Sequence, residues 1–253
     1  MGLLQQVIRG RQPAPRRVMV YGVQGVGKST FGASARRPIF IQTEDGLGEI
    51  ESDKFPLAMS TADVIAAIGE LHGSEHDYQS VVLDSLDWLE RMIWDDVCRE
   101  YNAKHLEKVD GGYGKGYAYT LPHWRTVLDG FDALRRDRQM TIVLLAHAKS
   151  EKFQTPEDTA HDRYAPRLHK LASALIQEWC DEVFFATYTA ITDPKKVKVG
   201  EPPERIMRTC EGPTHVAKNR LGMPPELPLL WDAYDYYIHQ THSANEQGAM
   251  SNG

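Results

Sequence analysis

Residues Gly22-Val23-Gln24-Gly25-Val26-Gly27-Lys28-Ser29 constrain this chain more than any other stretch, because they fit G-x-x-x-x-G-K-[ST] in full and in the right surroundings. Arg17 to Tyr21 (RVMVY) is a brief apolar run ending at glycine, which suits a buried strand better than a helix. Thr30 to Ala35 then reads as a short helix. Between a strand and a helix, the glycines let the backbone turn so that its N–H groups face phosphate oxygens. The helix N-terminus, opening at Ser29 and Thr30, adds the positive end of its dipole, and Lys28 adds a point charge to the terminal phosphates. The expectation is a nucleoside triphosphate site, taken as ATP, built from Gly22 through Thr30.

The rest of the chain alternates strands with helices. Pro38 to Gln42, Ser80 to Asp84, Met140 to Ala146 and Asp181 to Tyr188 are apolar runs of strand length. Ser60 with Asp63 opens a helix whose apolar face is Val64, Ile65, Ile68 and Leu71. Leu86, Leu89, Ile93, Val97 and Tyr101, and again Trp124, Val127, Leu128, Phe131 and Leu134, recur at helical spacing. Alternation of this kind predicts an α/β fold with a mainly parallel sheet flanked by helices. Short β-prone pieces at Arg205 to Cys210 and His215 to Lys218, set between Pro/Gly turns, predict antiparallel strands closing that sheet.

A length of 253 residues with no Gly/Ser-rich or Pro/Ser-rich linker fits one domain, residues 17–238. It is preceded by a flexible basic segment, 1–16, and followed by a polar, aperiodic tail, 239–253, expected to be disordered. No apolar run reaches the roughly 18 residues of a membrane span and no secretory apolar block is present, so the expectation is a cytoplasmic protein without membrane contact. Cys98, Cys180 and Cys210 are scattered and lack CxxC spacing, which argues against a disulfide frame or a zinc site. A net charge of −6 disfavours nonspecific coating of duplex DNA, so any nucleic-acid site must be local.

Magnesium has two candidate ligands. Ser29 carries the hydroxyl of the phosphate loop, and Asp84 ends the strand SVVLD, at the sheet edge that faces the nucleotide in such folds. Asp84 also suits a cap for the following helix, and both roles can hold together. Asp84-Ser85-Leu86-Asp87 is not D-x-x-G and no N-K-x-D follows, which disfavours a GTPase.

Asp84 is followed by Ser85 rather than by the glutamate that AAA+ ATPases place beside the magnesium ligand. The second strand instead ends in Ile41-Gln42-Thr43-Glu44-Asp45-Gly46, and here the chain resembles the RecA family of P-loop ATPases, whose catalytic glutamate lies just past that strand. The resemblance makes Glu44 the candidate base, with Asp45 as fallback. It also implies a γ-phosphate sensor at His147, where RecA has glutamine, unless His147 only helps pack a loop. Ala217-Lys218-Asn219-Arg220 resembles the basic motif that RecA and DnaB-type motors insert into a neighbouring subunit's ATP site, so Lys218 and Arg220 are candidate fingers in trans, or a solvated turn. The match runs from about Arg17 to Leu230, and the nearest kinds are phage-encoded RecA-like and AAA-type nucleotide-binding proteins, including the Sak-type single-strand annealing group.

The same resemblance puts DNA-binding loops at Tyr101 to Thr120 and at Ala148 to His169. In the first, Lys108, Tyr113, Lys115 and Tyr117 stand in a glycine frame suited to stacking on unpaired bases. In the second, Lys152, Arg163 and Arg167 are the basic candidates. A mobile lid over the nucleotide would use the same glycines. The implied function is Mg²⁺-dependent ATP hydrolysis coupled to single-stranded DNA in phage recombination, annealing or repair. The protein would work as a homo-oligomeric ring or filament, with a single-strand-binding protein as a further candidate partner. A helicase or translocation motor, and a small-molecule or nucleotide kinase, are the alternatives.

Overall fold

The computed structural model describes residues 2–8, 10, 12–154, 159–189 and 203–250, with backbone alone described for 241–250. Arg9 and Arg11 of the basic segment, and residues 251–253, lie outside the described residues.

In chain order the elements are β1 (Arg17–Gly22), α1 (Lys28–Ala33), β2 (Pro38–Gln42), β3 (Asp53–Lys54), α2 (Thr61–Gly73), β4 (Ser80–Asp84), α3 (Leu86–Glu100) and α4 (Lys115–Asp137). They continue with β5 (Thr141–Phe153), β6 (His161–Pro166), α5 (Lys170–Trp179), β7 (Glu182–Tyr188), β8 (Arg205–Arg208), β9 (Glu226–Pro228) and α6 (Trp231–Met250). The sheet order is β3-β2-β4-β5-β1-β7-β8-β9, with β6 paired to β5. From β3 to β7 the neighbours are parallel, and β8 and β9 close the sheet with antiparallel strands; β8 lies in a predicted piece, whereas β9 does not.

Alternation along the central strands divides the core. Met19 and Tyr21 of β1, Ile142 and Leu144 of β5, and Val183 and Phe185 of β7 face α2, α3, α4 and α5. Val18, Val20, Val143, Leu145, Phe184 and Ala186 point the other way, onto Phe31 of α1 and Trp231 and Tyr234 of α6. A strand covered on both faces has to be apolar at every position, which is why these runs show no polar alternation. The α2 start is capped as expected, the Ser60 hydroxyl accepting from the Asp63 N–H at 3.2 Å.

Several local expectations change. His215–Lys218 forms isolated bridges to Tyr164 and Val183 rather than a strand, because the chain there only crosses between two ladders. The Ala148–His169 stretch is largely a β-hairpin, since β5 runs on past the sheet to Phe153 and pairs with β6. The expected loop at Tyr101 to Thr120 gives way at Lys115 to the first turns of α4. Residues 239–250, within the tail expected to be disordered, have helical backbone that continues α6, and Ala244, Glu246, Gln247 and Ala249 are adequate helix formers. The basic leader is anchored at its end: Arg16 pairs with buried Glu182, and Arg17 with Asp181 and Asp132. Cys180 is buried, whereas Cys98 and Cys210 are only half-buried. Among the described residues no helix is long and apolar enough to cross a membrane.

Candidate functional site

The carboxyl ends of the parallel strands converge beside the phosphate loop. β1 leaves the sheet at Gly22, whose register partners are His147 on β5 and Ala186 on β7. A Cβ at Gly22 would stand 2.2 Å from the Ala186 carbonyl oxygen, so only glycine permits the turn there. Gly25 (φ 75°) and Gly27 (φ 105°) hold left-handed backbone, and Gly27 is the N-cap of α1. The loop therefore curls over the start of α1 on left-handed glycine backbone, the arrangement that receives an anion.

Lys28 is buried and donates from Nζ to the Gly22 and Val23 carbonyls at 3.2 and 3.1 Å. Burial lowers its pKa, while Asp84, Asp87 and Glu44 hold the proton on. Ser29 donates from Oγ to Asp84 Oδ2 at 2.6 Å, which brings together the two expected metal ligands. Asp84 is buried, and burial raises its pKa against the bond from Ser29, with nearby Glu44 raising it further. A carboxylate and a hydroxyl in contact inside a buried, net-acidic cluster fit a hard divalent cation, which would relieve that repulsion.

Glu44 is half-buried two residues past β2, and Asp45 is exposed. Thr43 fixes its position: the Thr43 N–H donates to the Asp84 carbonyl, its hydroxyl donates to the Ser85 carbonyl, and it accepts from the Ser85 N–H, all at 2.8 Å. The glutamate is thus tethered to the end of the strand that carries Asp84.

His147 is half-buried in β5, opposite Gly22. Its main-chain N–H and Nδ1 both meet Asp87, at 3.0 and 3.1 Å. The same carboxylate receives Arg167 through Nε at 3.2 Å and through a second guanidinium nitrogen. Burial works against the charge on Asp87, yet the bonds from His147 and Arg167 hold its carboxyl far below the usual range. Asp87 is a site residue missed in the sequence reading. Its signal is the spacing from Asp84, which puts it in the first turn of α3, immediately behind the metal-side carboxylate.

One turn further along α3, buried Glu90 accepts the His169 N–H on both oxygens at 2.9 Å, and burial pushes its pKa up to about 7. The folded value lies above the ordinary 4.5, so between about 4.5 and 7 the folded state holds more proton than the unfolded one, and stability falls as pH rises through that window. We expect Glu90→Gln to remove this loss, making the variant more stable than the parent at pH 8 by on the order of 3 kcal/mol and nearly equal at pH 5. Thermal melts at the two pH values measure it, and an equal offset at both would assign the proton elsewhere.

The nucleotide end is covered from β7 and β8. Register partners Tyr188 and Arg205 reach the loop together, the Tyr188 hydroxyl donating to the Gly25 carbonyl at 3.2 Å and the Arg205 guanidinium lying 3.0 Å from where a Gly27 Cβ would stand. Neither was among the sequence candidates, because only the antiparallel pairing makes them neighbours.

Other candidates are dispersed. Lys218 donates to the Gln177, Glu178 and Cys180 carbonyls at the C-terminus of α5, and Arg220 to Asp181 at 3.0 Å, both at the opposite end of the sheet from Lys28. In the single chain Lys218 caps the end of α5, whereas the Arg220 side chain is half exposed. Tyr117 stacks on His169 with centroids 3.9 Å apart, so its ring is not offered to a base. Arg163 is buried, paired with Glu211 and set 4.5 Å over the Phe153 ring, which removes it from the DNA candidates. Arg167 belongs with Asp87, as described. Lys115 reaches Asp110 at 3.2 Å. Tyr113 is fully exposed, and Lys108 and Lys152 are exposed.

Residues 14–221 match a family model described as an AAA domain. The SPbeta prophage-derived uncharacterized protein YorG of Bacillus subtilis (strain 168) is 21% identical over 186 residues, covering 71% of this chain and 53% of that protein. The chain thus spans about half the length of the curated relative it matches. Among solved structures, the crystal structure of the RadB recombinase aligns at a TM-score of 0.43 and 15% identity, covering 77% of this chain and 80% of that one.

Proposed function

The chain belongs to this family of AAA domains, and from that premise we propose that it binds and hydrolyses ATP with Mg²⁺ and couples the reaction to single-stranded DNA in phage recombination or annealing. The observation that carries the nucleotide half is the contact of Ser29 with Asp84 beside a buried Lys28, at the mouth of a glycine turn. In this reading the loop amides and Lys28 grip the phosphates, and Ser29 and Asp84 hold the metal ion. Bound magnesium supplies positive charge at the phosphoryl oxygens. Glu44 accepts the proton of the attacking water, and Asp87 orients His147 towards the terminal phosphate.

The DNA half is supported by Tyr113, fully exposed in a glycine frame, by the exposed Lys108 and Lys152, and by a prophage-derived relative. An assembly with several copies of this surface would bind a strand through effective concentration. Arg220 would then be the cation offered to the neighbouring site, released from Asp181 on assembly.

Fluorescence anisotropy with a labelled oligonucleotide, in the presence of ATP, tests the DNA half. Tyr113→Ala is expected to weaken single-strand binding by about 5- to 100-fold, the worth of one lost stacking partner. An unchanged affinity, or no single-strand binding by the parent protein, rejects it. A phosphorylated small-molecule acceptor in the same reaction would favour the kinase alternative.

A further inference from the structure

Arg167 is the first residue after β6, and its hydrogen-bond partners are His147 and Asp87. Its main-chain N–H donates to the His147 carbonyl at 2.8 Å, which holds it beside the end of β5. Its guanidinium uses Nε and one further nitrogen on a single oxygen of Asp87, and its side chain is still 44% exposed. Asp87, by contrast, is almost wholly enclosed. His147, to which the Arg167 main chain is bonded, is the register partner of Gly22, where the phosphate loop begins.

Asp87 therefore holds two groups that each gain from an anion, His147 and Arg167, on one carboxylate. A guanidinium has five N–H donors in a planar fork, and those not directed at Asp87 remain for an oxyanion. The strand to which the residue carrying this fork is bonded lies beside the one from which the phosphate loop departs. We propose that Arg167 is a second cation of the nucleotide site, supplied by the same chain, that binds the terminal phosphate and so distinguishes ATP from ADP, with Asp87 as its positioning residue. This rests on the proposed nucleotide reading and deepens it. It differs from the proposed role of Arg220, which requires a neighbouring subunit.

The turn that carries Arg167 also carries His169, with its N–H on Glu90 and its ring against Tyr117. The residue proposed to bind phosphate therefore stands two positions from the ring that packs on Tyr117.

The test is calorimetric binding of AMP-PNP and of ADP, each with Mg²⁺, to the full chain and to Arg167→Ala and Arg167→Lys. Arg167→Ala is expected to weaken AMP-PNP about tenfold to a hundredfold, the worth of a lost charge-assisted contact, while ADP changes less than about twofold. Arg167→Lys is expected to recover part of the loss. If Arg167→Ala melts early, Arg167→Gln, which keeps most of the side chain, gives the same readout. Equal losses for both nucleotides would make Arg167 structural, and no loss for either would also overturn the assignment. If the parent protein binds neither nucleotide, the nucleotide reading fails first and the role of Arg167 falls with it.

Discussion

Lys28→Ala is expected to lower ATP affinity by about 100-fold or more, beyond detection at micromolar protein. The ammonium is the buried cation at the loop, donating to the Gly22 and Val23 carbonyls and offset by Asp84, Asp87 and Glu44. Removing it forfeits charge-assisted bonds to the phosphates, each worth about 1.5–3 kcal/mol, and takes away the cation that offsets Asp84 and Glu44. Titration with a fluorescent ATP analogue measures the loss, and a melt of the variant separates it from unfolding. Affinity retained within about threefold of the parent would mean that the triphosphate lies elsewhere.

Glu44→Gln is expected to bind ATP as the parent does and to turn it over about 10²- to 10⁴-fold more slowly, the range of a lost general base. Glutamine keeps the size and hydrogen-bonding reach of the side chain but cannot take a proton. Thr43 remains clasped to the Asp84 and Ser85 backbone, so the position of residue 44 is preserved. Phosphate release under saturating ATP and magnesium is the measurement. Turnover at the parent rate would move the base to Asp45, which is exposed on the same loop.

The two variants touch residues whose roles differ in how far the sequence discloses them. Lys28 is legible because the phosphate loop is contiguous: strand, glycine turn and helix start lie within a few residues and act on one another locally. Asp84 is legible as the polar end of an apolar strand. Glu44 needed a family resemblance, since a loop acid carries no pattern of its own, and the backbone ties of Thr43 show why its location is constrained.

Legibility fails where one residue type serves two purposes. Tyr113 and Tyr117 stand in the same glycine-rich stretch, yet one is fully exposed and the other is stacked on His169, because α4 begins between them and turns Tyr117 inward. Arg163 and Arg167 both read as basic loop residues. Pairing along β6 sends the first into a buried contact with Glu211 and delivers the second to Asp87. The capping position of Lys218 was not legible, because a lysine after a β-prone piece has no signature that separates solvent from the end of a preceding helix.

Sequence alone determined the α/β alternation, the phosphate loop and the strand end that faces it, because those features arise from periodicity and from neighbours a few residues apart. Tertiary structure decided which charges meet. Arg167 and Asp87 are 80 positions apart, and Tyr188 meets Arg205 only through an antiparallel register. Coulomb and hydrogen-bond energies depend on separations of a few ångströms, and no local pattern encodes those distances until the sheet has ordered its strands.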